Sequence, residues 1–400
     1  NNNTIANLTN GYTGTSTGQT RGIVVSSSAT TITNNTMFNF SNANAGTGSG
    51  ASSAIVGIAM TSTNAAGAVV AGNKMHSFTL TGSSTSAAVK ITGIFFSGAT
   101  TAASVIDRNL IHSFDVTAAN NNAMLTGIDY ATGIATISNN MIRLGIRPDG
   151  TSVTTGLVVR GISSNSSTGL NNFYHNSIYI GGTGVGTGTS NTFAFTRTST
   201  SGTYDIRNNI FVNNRSNATS GGKHYTMLFT TNMNGVTVDH NIYRYNGTDG
   251  VFANSGAGDV ATYTAGWTAS DVHSYDADPL FVNATGNAAS VDLHVGAGSI
   301  AEGTGTAVNV TNDYDDQTRA GLTPVDIGAD AGDFGAVGVD VGVVALVTPV
   351  TGGCGSATQS VVVRVRNYSS STINFATNNV TVNVSATGPV AYAGNVVVNT

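Results

Sequence analysis

The chain is poor in charge. Only 9% of its 400 residues are Asp, Glu, Lys or Arg, against about 25% in an average soluble protein. Glutamate occurs once, at Glu302, and lysine three times, at Lys74, Lys90 and Lys223. Those residue types favour helix surfaces, so their scarcity excludes an all-α or ordinary α/β protein. The single cysteine, Cys354, can form no disulfide within the sequence and identifies no redox compartment; a partner for it would lie beyond residue 400. No apolar run approaches the ~18 residues of a membrane span. Basic residues form no dense stripe, which argues against nucleic acid as a partner. There is no initiator Met, signal-peptide pattern or polybasic tail, and both ends fall inside apparent strands, so the sequence reads as a piece of a longer protein.

What remains is Asn, Thr, Ser, Val, Ile and 50 Gly, with 40% hydrophobic residues and a mean hydropathy of +0.06. That is not a charged disordered chain. It reads as strands and turns. The net charge of −5 hides an asymmetry: residues 1–248 carry +6 and residues 249–340 carry −13.

Two markers repeat. An Asn followed by an apolar strand recurs at Asn3, Asn35, Asn73, Asn109, Asn140, Asn176, Asn209 and Asn241, at intervals of 31 to 38 residues. Gly-Ile recurs at Gly22, Gly57, Gly93, Gly127 and Gly161, each 13 to 16 residues before its Asn. Two markers in one phase identify a repeat protein. Each repeat reads as three short strands. The second holds an apolar residue three before the Asn (Ile32, Val70, Ile106, Ile137, Phe173, Ile206, Val238). The third holds one just after it (Met37, Met75, Ile111, Ile142, Ile178, Ile210, Ile242). Strands this short bury no face alone, but stacked coil on coil they form parallel sheets around one interior. Asn suits the bend because it tolerates the left-handed backbone and its amide can pair with its neighbours, forming an Asn ladder. The length variation falls between the third strand and the next Gly-Ile, at 41–53, 81–90, 147–155 and 181–190, predicting loops along one edge.

Residues 1–335 resemble the right-handed parallel β-helix of pectate-lyase-like proteins, and more closely the repeat regions of large secreted Bacteroidota surface proteins. Asn139-Asn140-Met141-Ile142 and His175-Asn176-Ser177-Ile178 carry the resemblance, with Asp278-Pro279-Leu280-Phe281-Val282, Asp292-Leu293-His294 and Pro324-Val325-Asp326-Ile327-Gly328-Ala329. The fold class this implies is all-β, a right-handed parallel β-helix of about eight or more coils with an acidic C-terminal cap. Asp330-Ala331 stands where such sequences often have Tyr-Glu. Residues 336–400 resemble the start of an Ig-like β-sandwich of tandem adhesion modules, with strands expected at 343–347, 360–366, 372–375 and 380–384. At about 60 residues that module is incomplete.

The candidate sites lie in columns of the repeat and in the acidic segment after it. Phe38, His76, His112, Arg143, Tyr179, Phe211 and Tyr243 follow the third-strand apolar positions and are expected to face outward. Such a row could stack on sugar rings, a carbohydrate-binding face, or pack under the variable loops. His76 and His112 could bind a metal, without an evident third ligand. Asp313, Asp315 and Asp316, with Asp326, Asp330 and Asp333, could hold Ca²⁺ or form a solvated acidic face. Arg143, Arg147 and Arg160, with Asp129 and Asp149, form the most enzyme-like cluster, since a lyase needs a base. Asp239 and Arg207 fall in one column as a cross-coil ion pair. No carboxylate pair suited to a glycoside hydrolase stands out.

The leading expectation is therefore a non-enzymatic segment of an extracellular adhesin, filament or stalk that contacts surface glycans and the neighbouring domains of its own chain. The resemblance implies type 9 export. The alternatives are a lyase or hydrolase of an acidic polysaccharide, and a subunit that self-assembles end to end through exposed strand edges.

Overall fold

The structure, a computed structural model, describes residues 1–16, 18–64, 66–82, 88–117, 122–186, 188–322, 324–334, 341–350, 358–367, 372–388 and 391–398. Cys354 and the expected 335/336 boundary lie outside these residues. The chain divides into two units. One comprises Asn1–Gly296 and Ile300–Gly332, the other Ala297–Ser299 and Asp333–Thr400.

The first unit is a parallel β-solenoid of about eight turns. Each turn contributes one strand to each of three parallel sheets. The first sheet holds the Gly-Ile strands, from Thr20–Val25 through Met124–Thr132 to Gly250–Asn254. The second holds the short strands before the repeat Asn, from Thr31–Thr33 to Val236–Asp239, and the third those after it, from Thr4–Ala6 to Tyr275–Asp276.

The expected Asn ladder is present. From Asn3 to Asn209, each Nδ2 donates to the Oδ1 of the ladder Asn one coil on, at 2.9–3.0 Å. Each backbone N–H donates to the same oxygen at 2.8–3.1 Å. The last rung, Asn241, passes its N–H to Ser274 Oγ. The ladder Asn is not itself the left-handed residue. That conformation falls one position earlier, at Asn34, Gly72, Arg108, Asn139, His175, Asn208 and His240. The corner thus separates two jobs: one residue turns the chain, and the next satisfies the buried polar groups the turn leaves.

The Gly-Ile marker has a packing reason. A Cβ on Gly127 would stand 2.6 Å from the Gly161 carbonyl oxygen and 2.7 Å from Ile142 Cγ2. The first sheet therefore approaches the inward third-strand residue too closely for any side chain. The second-strand column from Ile32 to Val238 is buried throughout.

One register assignment needs correction. Ile178 pairs with Phe211, and Phe211 with Tyr243, so these two aromatics continue the inward column of Met37, Met75, Ile111 and Ile142. Both are fully buried. Ile210 and Ile242 sit one position earlier, in register with Ser177. The interval from the ladder Asn is two residues in every coil, and in the last two coils an isoleucine one position early mimics the inward residue. A shift of one residue in a strand reverses the face.

The far end of the core is closed by rings. Asp259–Val260 runs antiparallel to Ala253–Asn254 and ends the first sheet. Tyr243, Tyr263 and Trp267 cluster around Phe252, with centroids 4.8, 5.2 and 4.9 Å from it. Asp271, buried, takes hydrogen bonds from Tyr243 Oη and Trp267 Nε1. The acidic segment that follows does not plug this end. It runs back over the corner and outer face of the third sheet. Asn312 O accepts from Asn139 Nδ2 at 2.9 Å, Asn208 Nδ2 reaches Thr306 O at 2.7 Å, and Ala329 N–H donates to Ser177 Oγ at 3.0 Å. Leu293 and Ala329 pack on Met141 there. Gly328, at φ 106°, lies so close that a Cβ would meet Ile210 Cδ1 at 2.6 Å. Asp326 accepts the N–H groups of Gly303 and Gly332 at 2.9 and 3.0 Å. The Asp326-Ile327-Gly328-Ala329 ending is thus the fastening of a strap.

The second unit contains two antiparallel hairpins, consistent with a partial sandwich. Val341–Thr348 pairs with Val362–Asn367, and Val380–Ala386 with Tyr392–Val398. The expected strand at 372–375 is not formed among the described residues.

Candidate functional site

The strap divides the outer face of the third sheet. Phe38, His76 and His112 stack in adjacent coils with ring centroids 5.3 and 5.0 Å apart and planes within 10°. Phe38 and His76 are half-buried, and His112 is nearly fully buried. Nδ1 of His76 and of His112 each lies within hydrogen-bond reach of the next serine hydroxyl, Ser77 at 3.0 Å and Ser113 at 2.8 Å. Burial, then the neighbouring His76, Arg143 and Lys74, push the His112 pKa down to about 2. Burial and Lys74 lower that of His76. Both rings are neutral at pH 7.

Further along the same column the face is covered. Arg143 is fully buried and donates to the carbonyls of Ile146 at 3.0 Å and of Gly286, in the strap, at 2.8 Å. Burial lowers its pKa to about 10. Tyr179 meets Phe281 of the strap edge to face, centroids 6.4 Å apart. The outward residues of the next two coils are Val212 and Arg244 rather than Phe211 and Tyr243. The row that the sequence offered as one glycan platform is therefore three parts: a ring stack half-buried at Phe38 and His76 and buried at His112, a strap-covered pair and two core aromatics.

The arginine cluster disperses. Arg143 serves backbone carbonyls, Arg147 pairs with Asp115 at 2.9 Å, and Arg160 lies on the first sheet, where its charged neighbours are Asp129 and Lys90. Asp149 accepts the N–H and hydroxyl of Thr151 within its own turn. Arg207 does not pair with Asp239, although the two are in register, because Asp205 on its own strand is in reach, with Nε to Oδ1 2.6 Å. Arginine has a use the sequence did not reveal. Arg143, Arg197, Arg215 and Arg319 are all buried and donate to main-chain carbonyls; Arg215 holds those of Val153 and Thr155 at 2.9 and 2.8 Å. A planar fork of donors suits such stapling of loops.

The acidic residues do not converge as a Ca²⁺ cage. Asp313 is buried and accepts Gln317 N–H at 2.7 Å. Asp315 meets His294 Nε2 at 2.9 Å, and Asp316 pairs with Arg108 and Asn312. Three consecutive-looking carboxylates face three directions because the turn that carries them fastens the strap.

Among the described residues, two other groups bring metal-ligating atoms within 4.8 Å of one another: His294, Asp315 and Asp330, and Asp239, His240 and His273. In the second, Asp239 Oδ2 stands 3.1 Å from His240 Nδ1 and 2.9 Å from His273 Nδ1. The sequence carried a signal for it. His240 precedes Asn241, and His273 precedes Ser274, which ends the ladder 33 residues on. The same corner position thus recurs as His in successive coils.

Comparison with protein-family models, with curated proteins and with solved structures finds no match for this chain.

Proposed function

We propose that this chain is a non-enzymatic rod of a large secreted surface protein, an adhesin or stalk, and that it contacts glycans through the partly exposed Phe38–His76 end of the third sheet's outer face. The observation that carries this reading is the Phe38–His76–His112 stack, three flat rings at coil spacing, half-buried at Phe38 and His76 and buried at His112. Because the rings lie face to face, the stack presents ring edges, apolar at Phe38 and polar at the neutral His76, to a sugar laid along the sheet. The groups that a lyase would need as base or carboxylate partner are engaged in holding the scaffold: Arg143 on Gly286, Arg147 on Asp115 and Arg207 on Asp205. The repeat architecture and the appended hairpins suit a spacer between modules. The resemblance to Bacteroidota repeat regions adds type 9 export, an extracellular location and an Ig-like identity for the hairpins to this proposal.

A glycan array and an unsaturated-product assay on the same purified chain test it. We expect binding without turnover, weakened at least tenfold by Phe38→Ala and unchanged by Tyr179→Phe. Unsaturated product would overturn the non-enzymatic reading. Binding indifferent to Phe38→Ala would overturn the assignment of this face.

A further inference from the structure

We infer that Asp239, His240 and His273 bind a divalent transition cation of the Zn²⁺ type, and that this cation braces the aromatic end of the solenoid. The site stands on three observations. First, the carboxylate is pre-oriented: Asp239 Oδ1 accepts the backbone N–H groups of Val272 and His273 at 3.1 and 2.8 Å, leaving Oδ2 directed at both imidazoles. Ligating carboxylates are commonly fixed by such outer hydrogen bonds. Second, His240 Nδ1 is buried and makes no hydrogen bond, although Oδ2 lies 3.1 Å away. A cation gives that nitrogen lone pair a partner. Third, the spacing fits. Ligands at 2.0–2.1 Å around tetrahedral Zn²⁺ lie about 3.3 Å apart. The two nitrogens stand 2.9 and 3.1 Å from Oδ2, so those two edges need to open by only a few tenths of an ångström, and all three ligand atoms lie within 4.8 Å of one another.

The donor set selects the ion. Two imidazoles and one carboxylate suit Zn²⁺, Co²⁺ or Ni²⁺, whereas Ca²⁺ and Mg²⁺ take oxygen ligands. The His273 side chain is 60% exposed, which gives entry from solvent. The rings of His240 and His273 stack, centroids 4.7 Å and planes 23° apart, so the exposed His273 ring must rotate out of the stack to bring both in-plane lone pairs onto one cation. Arg207 also faces His240, with its charge held by Asp205. The other candidate differs. Both ring nitrogens of His294 are taken, one by Asp292 outside the trio and one by Asp315, whereas His273 Nδ1 engages Asp239, its own co-ligand.

The consequence is mechanical. Asp239 ends the last strand of the second sheet, and His273 lies one coil on, between Asp271, which holds the aromatic cap, and Ser274, which ends the ladder. A cation joining them ties the last coil to its cap.

Calorimetric titration of the full chain with ZnCl₂ tests the inference, with thermal melts read in parallel. We expect one Zn²⁺ per chain, a higher Tm with Zn²⁺ because only the folded state has the site, and Co²⁺ replacing it with a visible tetrahedral spectrum. His273→Gln, at an exposed position, should fold, weaken Zn²⁺ binding at least tenfold and remove the Tm rise. His294→Gln should change neither. No binding at millimolar Zn²⁺, or binding unaltered by His273→Gln, would overturn the inference.

Discussion

The solenoid and the C-terminal hairpins are written in the same local code, β-branched residues alternating with small polar ones, yet they use it differently. Ile106, Ile137 and Val238 are fully buried, while Leu346 is 58% and Val396 65% exposed. Alternation only sorts side chains to two faces. Burial needs a second layer, and in the solenoid each sheet faces the other two across one interior. The hairpins carry the pattern without that layer among the described residues. A polar ladder also has value only where it is dry: from Asn35 to Asn241 every rung is buried, so each amide that loses its partner has no water to replace it.

The sharpest way to break this comparison is at the ladder. Asn140→Ala removes the oxygen that accepts from Asn109 N–H and Nδ2, and the amide that serves Ile106 O, Ser138 O and Asn176 Oδ1. We expect a loss on the order of 4 kcal/mol in a denaturant titration, since buried groups left unpaired bear their full desolvation cost. A loss below about 1 kcal/mol would mean that water enters the corner.

A smaller effect comes from His112. Its folded pKa of about 2 lies below the ordinary histidine value of 6.5, so the folded state refuses a proton that the unfolded chain accepts. Stability from this group is therefore present above pH 6.5 and declines as pH falls, by about 1.4 kcal/mol per pH unit. His112→Phe, which continues the ring stack, should make the stability difference between pH 7 and pH 5 smaller than in the parent chain by about 2 kcal/mol. Equal pH slopes in melts of the two proteins would show that the ring is wetter than its 3% exposure indicates.

The smallest effect belongs to the hairpins. Leu346→Thr should move the main unfolding transition by less than about 0.5 kcal/mol, as expected of an exposed site. A larger drop would reveal a covering layer over that face and erase the contrast.

Much of the fold was legible because its determinants are local and repeated. The Asn and Gly-Ile phases marked the coils, the three strands per turn and the loop edge. The inward second-strand column was legible from Ile32 to Val238. The third-strand column failed at Phe211 and Tyr243, where an isoleucine one position early imitated the pattern. The site was less legible. Asp313, Asp315 and Asp316 adjoin in sequence, but a turn aims them apart. Arg143, Arg147 and Arg160 are close in sequence, but one coil distributes them over different faces.

The sequence by itself determined the parallel coils, because a ladder and a glycine at fixed phase specify the same geometry in each turn. Only the tertiary structure decided which faces stay open. Covering a face depends on where a distant segment lands, as when Leu293, Thr306 and Ala329 come back onto Met141, Asn208 and Ser177. Bringing His240 beside His273 likewise depends on coil stacking, which converts a separation of 33 residues into a ring contact of 4.7 Å.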